Sequence, residues 1–163
     1  MITKQNQQMM ESSCPGPLFD ARTHLRRMAC AGRLDLQSRG LLVFTQSGVV
    51  ARRLVDKAAA GEAAVEKEYA VTTRQRVLQE HLGRLAGGTL VLDGAAVLPA
   101  GVERLSERSF RITLREGRNR QIRRMCGQLG LTVADIFRTR IGRVSLADLE
   151  EGKWRFLQSH EAF

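Results

Sequence analysis

The apolar positions of this chain change period several times, and each change marks an element. Residues 109–116, "SFRITLRE", alternate polar and apolar side chains with period two, which predicts a strand with one buried face. "KEYAVTT", residues 67–73, is rich in strand formers and puts Tyr69 and Val71 at alternate positions, which predicts another strand. Helical spacing appears between Arg74 and Ala86, where Val77, Leu78, Leu82 and Leu85 recur. It appears again after Gly117, where Ile122, Met125, Cys126 and Leu129 share one face of a helix ending near Gly130, with Asn119 as its expected cap. Ser47 is the expected cap of a helix from about Gly48 to Lys57 that carries Val50 and Leu54 on one face.

Shorter runs fill the gaps. Leu41 to Thr45 reads as a buried strand, and "GGTLVLDGAAVLPAGVERL" as two or three strands around an Asp93-Gly94 turn. "TVADIFRTRIGRVSL" gives further strands carrying Arg138, Arg140 and Arg143. Phe19 to Cys30 is expected to be helical, with Arg22, Arg26 and Arg27 exposed. Residues 1–18 are polar and end in "CPGP", the pattern of a flexible arm. Strands outnumber helices and are joined by tight turns. The expected fold is therefore α+β, a largely antiparallel mixed sheet with flanking helices, in one domain over residues 19–163.

Composition narrows the function. A chain of 163 residues with 43% apolar content can bury one core. Its net charge of +9 calls for a polyanionic partner, with nucleic acid the first candidate. The charge is concentrated: Phe110 to Arg124, "FRITLREGRNRQIRR", holds six arginines against one glutamate. Arginine binds phosphate with a planar fork and stacks on bases, which favours RNA or DNA over a general electrostatic coat. Cys14, Cys30 and Cys126 have no metal-ligand spacing, so a zinc site or disulfide framework is not expected. No apolar run has the length of a membrane span and the start is not a signal peptide, so a cytoplasmic setting is expected.

Three places could carry chemistry. Asp35, in "GRLD", is either a turn residue or a partly desolvated carboxylate that needs an arginine partner. Tyr69, the single tyrosine, is either a sheet residue or a stacking platform and proton acceptor for an extruded base. "EGRNRQIRRM", residues 116–125, is either a solvated basic face or a phosphate-contacting turn into a helix.

Taken together, "GRLDLQSRGLLVFT", "EKEY", "LDG…LPA", "LREGRNRQIRRMC", "RTRIGRVSLADL" and "GKWRFL" occur in an order that is specific. From about Gly32 to Phe163 the chain resembles the ribosomal pseudouridine synthases of the RsuA family, most closely the branch that modifies large-subunit rRNA. The resemblance implies isomerisation of a chosen uridine to pseudouridine, with no cofactor and no metal. It implies that Asp35 is the catalytic carboxylate and that Arg33 helps hold the flipped-out position. Tyr69 stacks under the base and is placed to take the proton from its carbon 5. Arg123 pairs with the Asp35 carboxylate. Arg118, Asn119, Arg120 and Arg124 lie near the substrate strand. The implied partner is rRNA, 23S ahead of 16S, with tRNA a further candidate. A monomer without membrane association is expected.

The chemistry is consistent with that set of residues. A paired uridine must leave the stack before its glycosidic bond can be reached. One carboxylate near the sugar suffices, where hydrolytic glycosidases use two. A neighbouring arginine favours its ionised form. Attack on the sugar, attack on the base and abstraction of a sugar proton all remain open. The sequence departs from the family ahead of Gly32, where neither a small RNA-binding module nor a "KP.G" strand is recognisable. The alternative reading is a truncated, non-catalytic RNA-binding protein. A DNA-binding regulator rests on charge alone.

Overall fold

The computed structural model describes residues 28–55, 64–161 and 163. At its centre β4 (Lys67–Thr73) lies between β8 (Ser109–Leu114) and β9 (Val133–Ile141), antiparallel to both. β7 (Gly101–Arg104) extends the sheet beyond β8, and β10 (Val144–Ser145) pairs with the far end of β9. The order is β10-β9-β4-β8-β7, and β2 (Arg39–Gly40) joins β9 as its single parallel neighbour. This is the α+β, largely antiparallel mixed sheet that the alternating segments predict. Two small ribbons lie outside it: β1 (Ala29–Cys30) with β3 (Phe44–Thr45), and β5 (Val91–Leu92) with β6 (Ala95–Ala96).

The helices are short: α1 (Gly48–Val55), α2 (Gln79–Ala86) and α3 (Gln121–Gln128). Ser47 caps α1 as expected, its Oγ accepting from the Val50 amide at 3.3 Å. The β5–β6 turn puts both Asp93 (φ 55°) and Gly94 (φ 76°) in the left-handed region, as a tight two-residue hairpin requires. Among the described residues no helix is long and apolar enough to cross a membrane.

Two apolar clusters hold the fold. The larger packs α2, α3 and the β5–β6 ribbon against the central strands through Val71, Leu85, Leu92, Phe110, Ile112, Met125 and Ile136. The smaller gathers Ala31, Leu41, Val43, Leu54, Ile141 and Val144, and packs α1 against the β9–β10 corner. Fully burying an aliphatic or aromatic side chain of this size contributes about 1.5–3 kcal/mol.

Several local expectations are corrected. The helix expected over Phe19 to Cys30 falls mostly outside the described residues, and its last two residues form β1. Of Leu41 to Thr45 only Phe44 and Thr45 are in a strand. Leu41 and Val43 are buried but bond outward, through Leu41 N–H to Arg138 O and Ala31 N–H to Val43 O. The helix expected from Arg74 begins only at Gln79, because the preceding backbone is tied elsewhere: Arg74 N–H donates to Thr132 O and Val77 N–H to Glu107 O. Asn119 does not cap α3. Arg120 holds that position in a left-handed conformation (φ 49°), with no side-chain cap. The Gln121 side chain reaches back instead, its Oε1 accepting from the Arg118 amide at 3.0 Å.

Candidate active site

A cavity of about 360 Å³ opens at the seam between the two clusters. Leu114, Ile122 and Ile136 line it from the larger core, and Ala31, Leu54 and Ile141 from the smaller. Its polar wall comes from three segments: the loop after β1, strands β4 and β9, and the turn into α3.

The loop begins at Gly32, whose φ of +98° is costly for any residue with a Cβ. It continues through Arg33, Leu34 and Asp35, all lining the cavity, to a turn closed by the Ser38 amide on Asp35 O at 2.9 Å. Asp35 is half-buried, and among the described residues its carboxylate has neither an ion pair nor a hydrogen bond. Arg138 holds the loop from β9. Its Nε donates to Leu41 O at 2.8 Å and its Nη1 to Arg33 O at 3.4 Å, so the guanidinium spans the loop's two ends. Arg123, from α3, donates to Gln37 O at the turn and to Val133 O.

This corrects the expected pairing of Arg123 with Asp35. The guanidinium of Arg123 is directed to backbone carbonyls, its Nε is buried without a partner, and it does not line the cavity. In this structure Arg123 positions the loop that carries Asp35.

Tyr69 and Lys67 reach the cavity together because alternate residues of β4 share a face. Arg138 reaches it from β9, where it alternates with Ile136 on one face. The β4–β9 register slips between Glu68, opposite Arg140, and Tyr69, opposite Arg138, leaving Thr139 without a partner. Arg138 and Ile141 are three residues apart and would face opposite sides of a regular strand. The bulge turns Ile141 onto the face that Arg138 shares with Ile136, and Arg138 and Ile141 are 3% and 2% exposed. Burial, with the Arg138 guanidinium as a second cause, pushes the Lys67 ammonium below its usual range.

Arg118, Asn119 and Arg120 complete the wall. Arg118 is saturated by the protein: Nε pairs with Glu116 at 3.1 Å, Nη1 donates to Leu92 O and Ala95 O, and Nη2 donates to Ala96 O at 2.6 Å. Gln121 Nε2 holds the other oxygen of Glu116 at 2.8 Å. Arg124 lies outside the cavity in a two-point pair with Asp93 at 2.7 and 2.9 Å, and this pair holds the Asp93 carboxyl below its usual range. Arg111 and Arg115, the remaining arginines of the basic stretch, pair with Glu103, Glu68 and Glu66. Of the six, Arg120 alone has no side-chain partner among the described residues, and Arg33 from the facing loop shares that state.

The site expected from the sequence thus divides. Asp35, Tyr69, Arg33, Arg118, Asn119 and Arg120 converge on one cavity, while Arg123 and Arg124 brace its surroundings. Lys67 and Arg138 are on the wall and were not expected there. Lys67 was signalled by sitting two residues before Tyr69 on the same strand. Arg138 had the same signal, two residues after Ile136 on β9, but a charged side chain is not expected on a buried face.

Residues 6–128 match the family described as RNA pseudouridylate synthase. The chain is 38% identical over 144 residues to the dual-specificity RNA pseudouridine synthase RluF of Escherichia coli (strain K12), covering 88% of this chain and 48% of that protein. It is 38% identical over 133 residues to the ribosomal large subunit pseudouridine synthase B of Pasteurella multocida, covering 78% and 37%. A solved crystal structure of a pseudouridylate synthase superimposes with a TM-score of 0.77 at 32% identity, covering 86% of this chain and 60% of the other. The chain spans about half, or less, of the length of these curated relatives. With the family match spanning most of its length, this chain belongs to the RNA pseudouridylate synthases.

Proposed function

We propose that this protein isomerises a uridine of large-subunit ribosomal RNA to pseudouridine, with Asp35 as the catalytic carboxylate. The observation that carries the reading is the placement of Asp35: half-buried, unpaired among the described residues, and on the wall of one cavity with Tyr69 and Arg138, in a chain of this family. The names of the similar proteins, one a ribosomal large subunit synthase and one a dual-specificity RNA synthase, support rRNA as substrate, with tRNA as a further candidate.

The reaction breaks the bond from C1′ to N1, rotates the base and joins C1′ to C5. The proton leaves C5 and N1 gains one, so no redox partner or leaving group is needed. Extrusion of the uridine brings the base into the cavity. The Tyr69 ring supplies the stacking face, and its hydroxyl is placed to accept the C5 proton. Asp35 acts at the sugar–base junction. Arg33 and Arg120, both without side-chain partners among the described residues, are available to the RNA strand at the mouth. A monomer acting in the cytoplasm belongs to the same reading.

The test is pseudouridine mapping by carbodiimide modification and primer extension on unmodified 23S, 16S and tRNA transcripts. Wild type is expected to mark a defined uridine in the 23S transcript. Asp35→Asn is expected to bind that RNA and mark nothing. A wild-type protein that binds RNA and forms no pseudouridine on any transcript would leave a non-catalytic RNA-binding protein.

A further inference from the structure

Arg120 lines the cavity as an exposed residue, and among the described residues its guanidinium has no partner. It does so from a strained backbone. Its φ of 49° and ψ of 34° lie in the left-handed region, where a Cβ crowds the following carbonyl. Glycine would make the same turn into α3 without that strain. Strain of this kind persists where the surroundings over-determine the conformation, and it collects at binding sites.

Two neighbouring side chains do the over-determining. Gln121 is 4% exposed, and its Oε1 accepts from the Arg118 amide at 3.0 Å while its Nε2 donates to Glu116 Oε1 at 2.8 Å. Glu116 is itself fixed: its Oε1 also accepts from the Leu98 amide at 2.9 Å, and its Oε2 accepts from Arg118 Nε at 3.1 Å. The main chain closes around the same point. Gln121 N–H donates to Arg118 O at 3.2 Å, and Arg124 N–H donates to Arg120 O at 3.0 Å. Arg120 therefore sits between a closed turn and the first bond of α3. Both polar ends of Gln121 are engaged inside the protein, so its side chain braces the turn rather than meeting substrate. A change of Arg120 to the right-handed region would turn its Cβ to a new direction. The place of the guanidinium on the wall thus depends on the conformation that Gln121 and Glu116 hold.

We propose that Gln121, buttressed by Glu116, is a positioning residue that holds Arg120 in its left-handed conformation so that the guanidinium meets a phosphate of the bound RNA strand at the mouth of the cavity. An exposed guanidinium without a partner suits a phosphate, which it can grip at two points. This rests on the RNA reading above and deepens it, by naming the arginine that meets the strand and the buried side chain that aims it.

The experiment measures binding of a fluorescent single-stranded oligouridylate against potassium chloride, by fluorescence polarisation, together with the melting temperature. The proteins are wild type, Arg120→Gly, Gln121→Met, Gln121→Asn and the control Val77→Ala in the larger core, away from the cavity. Each phosphate contact contributes about 0.7 to the slope of log K against log salt for a single strand. Arg120→Gly is expected to lose about that much slope and to weaken binding about tenfold. It is also expected to melt about 2–4 °C higher, because the strain is relieved. The two Gln121 variants change no charge, yet are expected to lose the same slope and to melt lower. Adding Arg120→Gly to either is expected to lose no more slope. Gln121→Asn keeps a polar group in the buried space and reads the effect should Gln121→Met not fold. Val77→Ala is expected to melt lower and keep the slope. If the Gln121 variants keep the wild-type slope, the proposal is overturned and the bridge only stabilises the turn. If Val77→Ala loses slope as well, lost stability suffices and the positioning role is overturned. If Arg120→Gly keeps the slope, Arg120 does not meet a phosphate, which also overturns it. The two readings fail separately. Pseudouridine formed by wild type with unchanged slopes in the Gln121 variants removes the positioning role alone. Loss of slope with no pseudouridine formed removes the isomerase alone.

Discussion

Tyr69 stands directly opposite Arg138 across the β4–β9 pair, one step past a register slip that leaves Thr139 unpaired. This juxtaposition joins the two parts of the site. Tyr69 lines the cavity, and Arg138 ties the same strand pair to the loop that carries Asp35. The bulge that follows brings Ile141 onto the same wall.

The two roles of Tyr69 separate by mutation. Tyr69→Phe keeps the ring and removes the hydroxyl. If the hydroxyl accepts the C5 proton, single-turnover isomerisation falls by about 10²-fold or more while RNA affinity is retained. Tyr69→Ala additionally weakens binding, by about 1–3 kcal/mol for one lost stacking contact. Equal turnover for wild type and Tyr69→Phe would reduce the residue to a platform.

Gly40 tests the parallel junction of β2 with β9. Its φ is +116°, and a Cβ added there would lie 2.3 Å from Arg138 O and 2.6 Å from Arg138 N. These are backbone atoms of the central sheet and cannot move aside cheaply. Gly40→Ala is expected to cost about 2 kcal/mol or more, a fall in melting temperature of about 4–8 °C for a chain of this size. A variant melting with wild type would mean that β2 is not seated on β9.

Arg123 and Asp35 should behave as independent sites. Arg123 donates to Gln37 O and Val133 O, and among the described residues Asp35 has no ion pair. A double-mutant cycle with Arg123→Met and Asp35→Asn, read by denaturant unfolding, is expected to be additive within about 0.5 kcal/mol. A larger coupling would restore the ion pair that the family resemblance implies. Activity should still fall in Arg123→Met, because the turn bearing Gln37 loses a brace.

Much of this architecture is legible in the sequence because its central strands are regular. β4 and β8 follow the alternation of their side chains, and Ser47 caps α1 where a serine before a helical pattern should. The failures have physical causes. Helical spacing from Arg74 is overridden by backbone bonds to Thr132 and Glu107, which no local pattern records. The basic stretch reads as a surface for RNA, yet five of its six arginines are engaged within the protein, partly by acids distant in sequence such as Asp93, Glu103 and Glu66. Residue counts register charge, and only the fold decides which charges are already paired. Arg138 escapes for a different reason: it alternates with Ile136 on the buried face of β9, where a charged side chain is not expected, and the bulge then brings Ile141 to the same face.

The C-terminal segment offers a pH test with an internal probe. Two short hydrogen bonds from Arg155, followed by one from the Gln158 amide at 2.8 Å, lower the Glu161 carboxyl from its ordinary 4.5 to about 2. Arg155 also reaches Ser145 O on β10 at 3.3 Å, so the pair anchors the segment to the sheet. A carboxyl depressed by folding stabilises the fold fully above its unfolded value, and that contribution is lost as the pH falls toward the folded value. The anchor is therefore intact above about pH 4.5 and is released progressively on the way down to about 2. Trp154, the single tryptophan, packs edge-on against Phe156 at 5.2 Å and sits beside Arg155, so its emission reports the segment. Wild type is expected to show a red shift developing across that acid window. Glu161→Gln, which cannot ionise, is expected to show the shifted emission already at neutral pH and no transition in the window. Superimposable curves for the two proteins would mean that the Arg155–Glu161 pair does not hold the segment in place.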